Sequence, residues 1–149
     1  IAYDASSDGG AAASASNIQA YMNAVWVQLK RGSDCPNLIA ADNNYFNFFW
    51  ESLTAIQRIT TSDKATSGFR SLEYNGPSGS APVVLDNGAG TDKMYLLNTD
   101  YLFFKVHKDA NYAVSDDRVS NNQDAITKHI LFMGNMTASN CSLQGVIKA

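Results

Sequence analysis

The 149-residue chain is poor in the side chains that carry most enzyme chemistry and most covalent cross-links: two histidines, two cysteines and three prolines. With only His107 and His129 present, any Ser-His or Cys-His mechanism must pass through one of them. Cys35 and Cys141 lie far apart and match neither a metal nor a redox spacing, which fits two free thiols, buried or half-buried, in a reducing compartment. Charged residues make up 17% of the chain, with a formal net charge of -3. That balance gives no basic field for nucleic acid, and the nearest cluster, Lys30-Arg31, reads as a helix end. No apolar run approaches the ~20 residues that span a bilayer, and no N-terminal signal pattern stands out. What the chain has in quantity is hydrophobic residues, 45% of the total, enough for one soluble, folded domain with a core.

Periodicity predicts an α+β order of elements. Ser16 and Gln19 have the spacing of a capping box, and Ile18, Met22, Val25 and Leu29, widened by Tyr21 and Trp26, form a helical stripe. A helix is expected from Asn17 to Arg31, with Gly32 as its left-handed terminator. After Pro36, Asn37 to Ala41 is a short apolar strand. Asp42 then caps a second helix running to Ile59, with Phe46, Phe49, Trp50, Leu53 and Ile56 on its apolar side. "SDKATSG" suggests a helical turn closed by Gly68, and "FRSLEYNG" a strand with Phe69, Leu72 and Tyr74 inward. "NGPSGSAP" and "DNGAGTD" are loops around the strand Val83-Val84-Leu85. Met94–Leu97 and Leu102–Val106 form a hairpin-like unit about a side-chain-capped turn at Asn98-Thr99-Asp100. A polar stretch, 108–123, follows. Residues 125–137 alternate as one long strand bent at Gly134, and Leu143–Ile147 form a closing strand. The small-residue opening, which starts without Met, reads as a leader of a processed or longer polypeptide.

Chemistry is thin. His107 with Asp109 or Asp100 is the one pairing that suggests a metal-dependent hydrolase, but one imidazole and one carboxylate are too small a ligand set. Asp86, Asp92, Asp100, Asp116, Asp117 and Asp124 all lie beside turns, which their side chains explain. "DNGAGTD" lacks the alternating oxygens and distal Glu of a calcium loop. The glycines carry no phosphate-loop or dinucleotide pattern. No catalytic, cofactor-binding or metal residue is assigned, and no cofactor is expected. The crowding of Tyr95, Tyr101, Phe103, Phe104 and Tyr112 into one region, by contrast, reads either as core or as contact with a neighbouring subunit, since one small domain buries both faces of a strand only if something covers the second.

The ordered set "YLLNTDYL", "NQDA" and "GNMTASN...LQGV", with "CPNLIAADNNYFNFFWESLTAIQRIT" and "SNIQAYMNAVWVQLKRG" before it, resembles tailed-bacteriophage and prophage major capsid proteins. The resemblance covers about residues 14–149. It implies the Hong Kong 97-type capsid fold: an axial domain with a small mixed β-sheet flanked by two main helices, and a long C-terminal strand pair. Mapped by order, residues 1–13 are a flexible leader, 14–123 the axial-type domain, and 124–149 the long and closing strands leading to a peripheral domain. The N-terminal arm, extended loop and spine helix of such proteins have no counterpart here, so the chain looks like a C-terminal portion or a truncated relative. The implied function is structural, not enzymatic: copies of the same protein, as pentamers and hexamers of the parent, assemble an icosahedral shell around DNA, in the virion and, during assembly, the host cytoplasm. The implied partners are those copies, with no specific nucleic-acid recognition and no membrane, and the oligomeric state of this portion alone stays open. The loops 75–82, 86–92 and 109–122 would carry contacts. An encapsulin-like compartment shell shares the same fold and is the nearer alternative; the hydrolase using His107 is the other.

Overall fold

The computed structural model describes residues 1–53, 71–119 and 122–149. They form two compact units, Ile1–Asp100 with Asn140–Ala149, and Tyr101–Ser139. The chain is α+β, with two α-helices and a predominance of strand among the described residues.

The first unit holds a six-stranded mixed sheet in the order β1-β10-β5-β2-β4-β3. Its strands are β1 (Ala2–Asp4), β2 (Leu38–Ala41), β3 (Ser71–Gly76), β4 (Gly79–Leu85), β5 (Lys93–Leu97) and β10 (Gly145–Lys148). β1 runs parallel to β10 and β2 parallel to β4, while the remaining pairs are antiparallel. Alternation along the strands puts Ile39, Ala41, Val83, Met94, Leu96 and Ile147 into one fully buried cluster with the helices α1 (Ile18–Leu29) and α2 (Asn43–Ser52). The stripe Ile18, Tyr21, Met22, Val25, Trp26 and Leu29 is buried as its spacing predicts. Each large side chain so covered contributes about 1.5–3 kcal/mol. Trp26 packs edge-on against Tyr74, and Tyr74 against Phe49. β10 can pass directly beneath α1 because Gly145 has no side chain: a Cβ there would stand 2.7 Å from Leu29 Cδ1 and 3.0 Å from Val25 Cγ1.

Several local expectations change. Residues 1–13 are not a free leader. β1 extends the sheet, with the Ile1 ammonium donating to the Gln144 carbonyl at 2.7 Å and Ala5 fully buried. The physical reason is an available edge: β10 offers backbone groups that only another strand or water can satisfy. Asp4 then closes the following turn by accepting from the Ser6 and Ser7 amides. The Ser7 amide, and after it the Lys148 ammonium, hold the Asp4 carboxyl below its usual range.

The capping box does not form. Asn17 is the cap residue and makes no side-chain cap bond, its amide being used by Ser14, Ala12 and Tyr21. Gln19 reaches Ser52 instead of turning back. Gly32 is left-handed (φ 60°), but it serves the tight Arg31–Asp34 turn just beyond the helix. α2 starts as expected, with Asp42 accepting from the Tyr45 amide at 3.0 Å. It stops at Ser52, well short of Ile59, where Ser52 Oγ donates to the Phe49 carbonyl at 2.6 Å and competes with the helix ladder. Its fully buried residues are Tyr45 and Phe49, with Phe46, Trp50 and Leu53 at the margin. Ile56, the turn expected in "SDKATSG", Gly68 and Phe69 lie outside the described residues.

"NGPSGSAP" is a hairpin tip and strand, not a loop. β3 and β4 pair continuously from Ser71↔Val84 to Gly76↔Gly79. Pro82 is tolerated because β2 pairs only with Val83–Leu85 of β4, so at Pro82 one side of the strand needs no donor. Gly76 lies against the Trp26 ring, where a Cβ would approach to 2.7 Å; the glycine marks close packing, not irregular chain.

The second unit is a two-stranded antiparallel ribbon, β6 (Leu102–Val114) with β9 (Ile130–Ala138), and a short pair, β7 (Arg118–Val119) with β8 (Ile126–Thr127). β5 and β6 therefore do not pair as a hairpin: β5 belongs to the sheet and β6 to the ribbon. β6 continues through much of the stretch expected to be polar loop. The expected long final strand is interrupted at Lys128 and His129. There Ser115 accepts from the His129 amide at 3.0 Å while its own amide donates to the His129 carbonyl at 2.8 Å. The irregularity falls on β6, between Val106 and Ala113, and not at Gly134, which pairs regularly with Val106. The boundary expected at residue 123/124 is thus replaced by breaks at 100/101 and 139/140.

Candidate functional site: an exposed apolar ribbon

Where the chain leaves and re-enters the first unit, a small polar lattice fixes that unit's own ends. The Asn98 amide donates to Gln144 Oε1 at 3.0 Å, and Gln144 Nε2 returns a bond to the Asn98 carbonyl at 2.9 Å. Asn98 Oδ1 also accepts from the Asp100 amide, as the expected turn requires. Asn37 and Thr99 exchange two further bonds of 2.9 Å. Asn98 is buried, and every polar group named here has its partner. Sequence reading found the Asn98 turn but not Gln144, whose partner lies 46 residues away.

The ribbon differs in kind. Ten of its large apolar side chains are at least 37% exposed, among them Phe104 (60%), Tyr112 (67%) and Ile130 (68%). Register and the two-residue alternation of strands sort them by face. Phe104, Val106 and Val114 of β6 share a face with Ile130, Phe132 and Met136 of β9, since Phe104 opposes Met136 and Val114 opposes Ile130. Phe104 and Phe132 stack with centroids 5.9 Å apart, and Tyr112, held at φ 53°, lies 4.7 Å from Phe132. Gly134 makes the stack possible, because a Cβ there would come within 3.0 Å of both rings. Among register-paired residues this face carries no charge. The opposite face is mixed, with Phe103, Leu131 and Met133 beside Lys105, Asn135 and Thr137.

The catalytic candidates are spread over β6, the turn before it and the segment after β8. His107 and Asp109 both lie on β6, where the Asp109 amide donates to His107 Nδ1 at 3.2 Å; that is a local turn bond that occupies the imidazole nitrogen. Asp100 sits in the 3-10 turn Thr99–Tyr101 of the other chain segment. His129 is exposed between β8 and β9. Among the described residues no group of three or more His, Cys, Asp or Glu side chains converges. Asp86 caps its own turn through the Gly88 amide, and Asp117 pairs with Lys128 at 2.9 Å on the surface. Cys35 and Cys141 are free, Cys35 half-buried and Cys141 exposed rather than covered. No described helix is long and apolar enough to cross a membrane.

The strongest perturbations of acidity are structural. Burial pushes the Tyr45 hydroxyl up to about 12, assisted by the nearby Asp92 and Asp42 carboxylates, and burial alone does the same for Tyr74. Tyr74 donates to Asn23 Oδ1, whereas the buried Tyr45 hydroxyl has no partner among the described residues.

No protein-family model matches this chain, and no curated protein matches it.

Proposed function

We propose that the chain is a structural shell subunit, a portion of a Hong Kong 97-type major capsid protein of a tailed bacteriophage or prophage. It works by touching copies of itself in the virion. The observation that carries this reading is the ribbon: a face rich in aromatic and aliphatic side chains, uncharged among its register-paired residues and left in water, on an element that is marginal without a cover. The ordered motifs "YLLNTDYL", "NQDA" and "GNMTASN...LQGV" support it, as does an α+β unit with two helices against a mixed sheet. Many modest contacts, each reversible, sum to a closed shell while leaving room to correct misplaced subunits.

Sedimentation of the full-length parent protein over a concentration series, with electron microscopy of the heavier species, tests the reading. Ordered assemblies of one repeating unit are expected. A parent protein that stays monomeric at every concentration contradicts it. Within assemblies, Arg118→Glu, on the exposed pair β7–β8, is expected to weaken association and leave folding unchanged.

A further inference from the structure

We infer that Asn87 is a site of spontaneous covalent modification: its side-chain amide is lost through attack by the Gly88 backbone nitrogen, leaving aspartate and isoaspartate in the loop 86–92. This goes beyond the shell reading and does not rest on it, since the chemistry lies within one turn of the sheet unit and needs no partner.

The sequence contains two Asn-Gly pairs, Asn75-Gly76 and Asn87-Gly88. Glycine after asparagine favours the reaction because no side chain shields the attacking nitrogen and the backbone turns easily. In the first step the glycine nitrogen gives its proton to solvent and bonds to the carbonyl carbon of the Asn side chain. Ammonia leaves as a five-membered imide closes. Water then opens the imide at either carbonyl. One route gives aspartate, and the other gives isoaspartate, in which the chain runs through the side-chain carbon. Water is consumed and ammonia released, with no oxidant or reductant.

Structure separates the two pairs. Asn75 and Gly76 are the last paired residues of β3, opposite Ser80 and Gly79 of β4. Gly76 is also seated against the Trp26 ring. Closing the imide takes the Asn out of the extended backbone, so at Asn75 both pairing and packing must open first. Asn87 and Gly88 are exposed and lie outside the strands, in a turn closed by the Ala89 amide donating to the Asp86 carbonyl at 3.1 Å. The ends of this loop are anchored. The Asp86 amide donates to the Ala41 carbonyl at 2.9 Å, and the Asp92 amide to Asp42 Oδ2 at 2.8 Å. Movement that brings Gly88 onto Asn87 therefore leaves the sheet intact.

One contact opposes the attack. The Gly88 amide donates to Asp86 Oδ1 at 2.8 Å, and a carboxylate there favours the protonated nitrogen. Asp86 is thus a brake on the site, but a single exposed bond opens more readily than a strand end packed on a ring. Conversion adds one negative charge beside Asp86, and isoaspartate also lengthens the backbone by one atom inside the turn.

Peptide mapping by mass spectrometry, on the full-length protein aged at mildly alkaline pH, reads both sites in one sample. Asn87 is expected to convert about ten-fold or more faster than Asn75, a factor of ten in rate being ~1.4 kcal/mol of opening cost. Two products of equal mass, aspartate and isoaspartate, should appear there. In denaturant the two pairs should convert at similar rates, because what separates them is gone. Asp86→Ala should speed conversion at Asn87 by a few-fold and leave Asn75 unchanged. An Asn87 that stays intact, or converts no faster than Asn75 in the folded protein, overturns the site. A difference that persists undiminished in denaturant overturns its structural cause, and an Asp86→Ala variant that converts no faster than wild type overturns the brake.

Discussion

Trp26 and Phe104 are both large rings, yet one is fully buried and the other 60% exposed. Around Trp26 the chain closes a core from both helices and six strands; around Phe104 it builds a ribbon with nothing described above it. The sheet unit has satisfied its apolar residues internally, so substitutions there change folding. The ribbon has not, so substitutions there should change association. Residue type alone does not separate the two cases. Whether a second layer is present does.

The contrast can be broken most sharply with ring deletions. Trp26→Ala is expected to cost about 3–5 kcal/mol in denaturant melts followed by circular dichroism. Phe104→Ala in dilute, dissociated protein should cost less than about 1 kcal/mol, because its ring is already largely in water. A large loss from Phe104→Ala in the monomer would mean that the ribbon is structural cover, not contact surface.

Two glycines give the next largest difference. Gly145→Ala forces a methyl against Leu29 and Val25, both locked in the core, and should destabilise by about 1–3 kcal/mol. Gly134→Ala meets only the ends of the exposed Phe104 and Phe132 rings, which can move, and should change melting by less than about 0.5 kcal/mol.

The smallest effects lie within the core itself. Tyr74→Phe removes a hydrogen bond to the exposed Asn23, for a loss of about 1 kcal/mol or less, whereas Tyr45→Phe deletes an unpartnered buried hydroxyl and should be neutral or slightly stabilising. Both tyrosines also set an alkaline limit. Their folded values, about 12, lie above the ordinary 10, so the unfolded chain releases these protons first. Their stabilising effect is complete below pH ~10 and is lost as pH rises from there toward 12. Melts across that range should show wild type losing stability faster than the Tyr45→Phe, Tyr74→Phe double variant.

Much of the sheet unit was legible in the sequence because its signals are local: the α1 stripe, the Asp42 cap, the Asn98 turn and the strands at Leu38, Val83 and Met94. What failed depended on distant partners. β1 forms only because β10 offers an edge, and Gln19 leaves its own helix because Ser52 is within reach. Gly76 and Pro82 read as loop when their neighbours, Trp26 and an edge without a donor requirement, lie far off in sequence. The aromatic crowding near Phe104 did announce surplus apolar surface. Its sorting into one neutral face required the β6–β9 register, which the irregularity between Val106 and Ala113 hides from simple alternation.

Hydrogen exchange on the wild-type chain, compared between dilute and concentrated solution, bears most directly on whether the ribbon is a contact surface. The account predicts that amides bonded between β6 and β9 exchange fast when dilute and become protected on concentration, while those of β2, β4 and β5 stay unchanged. Ribbon amides that exchange equally fast in the associated state would contradict it.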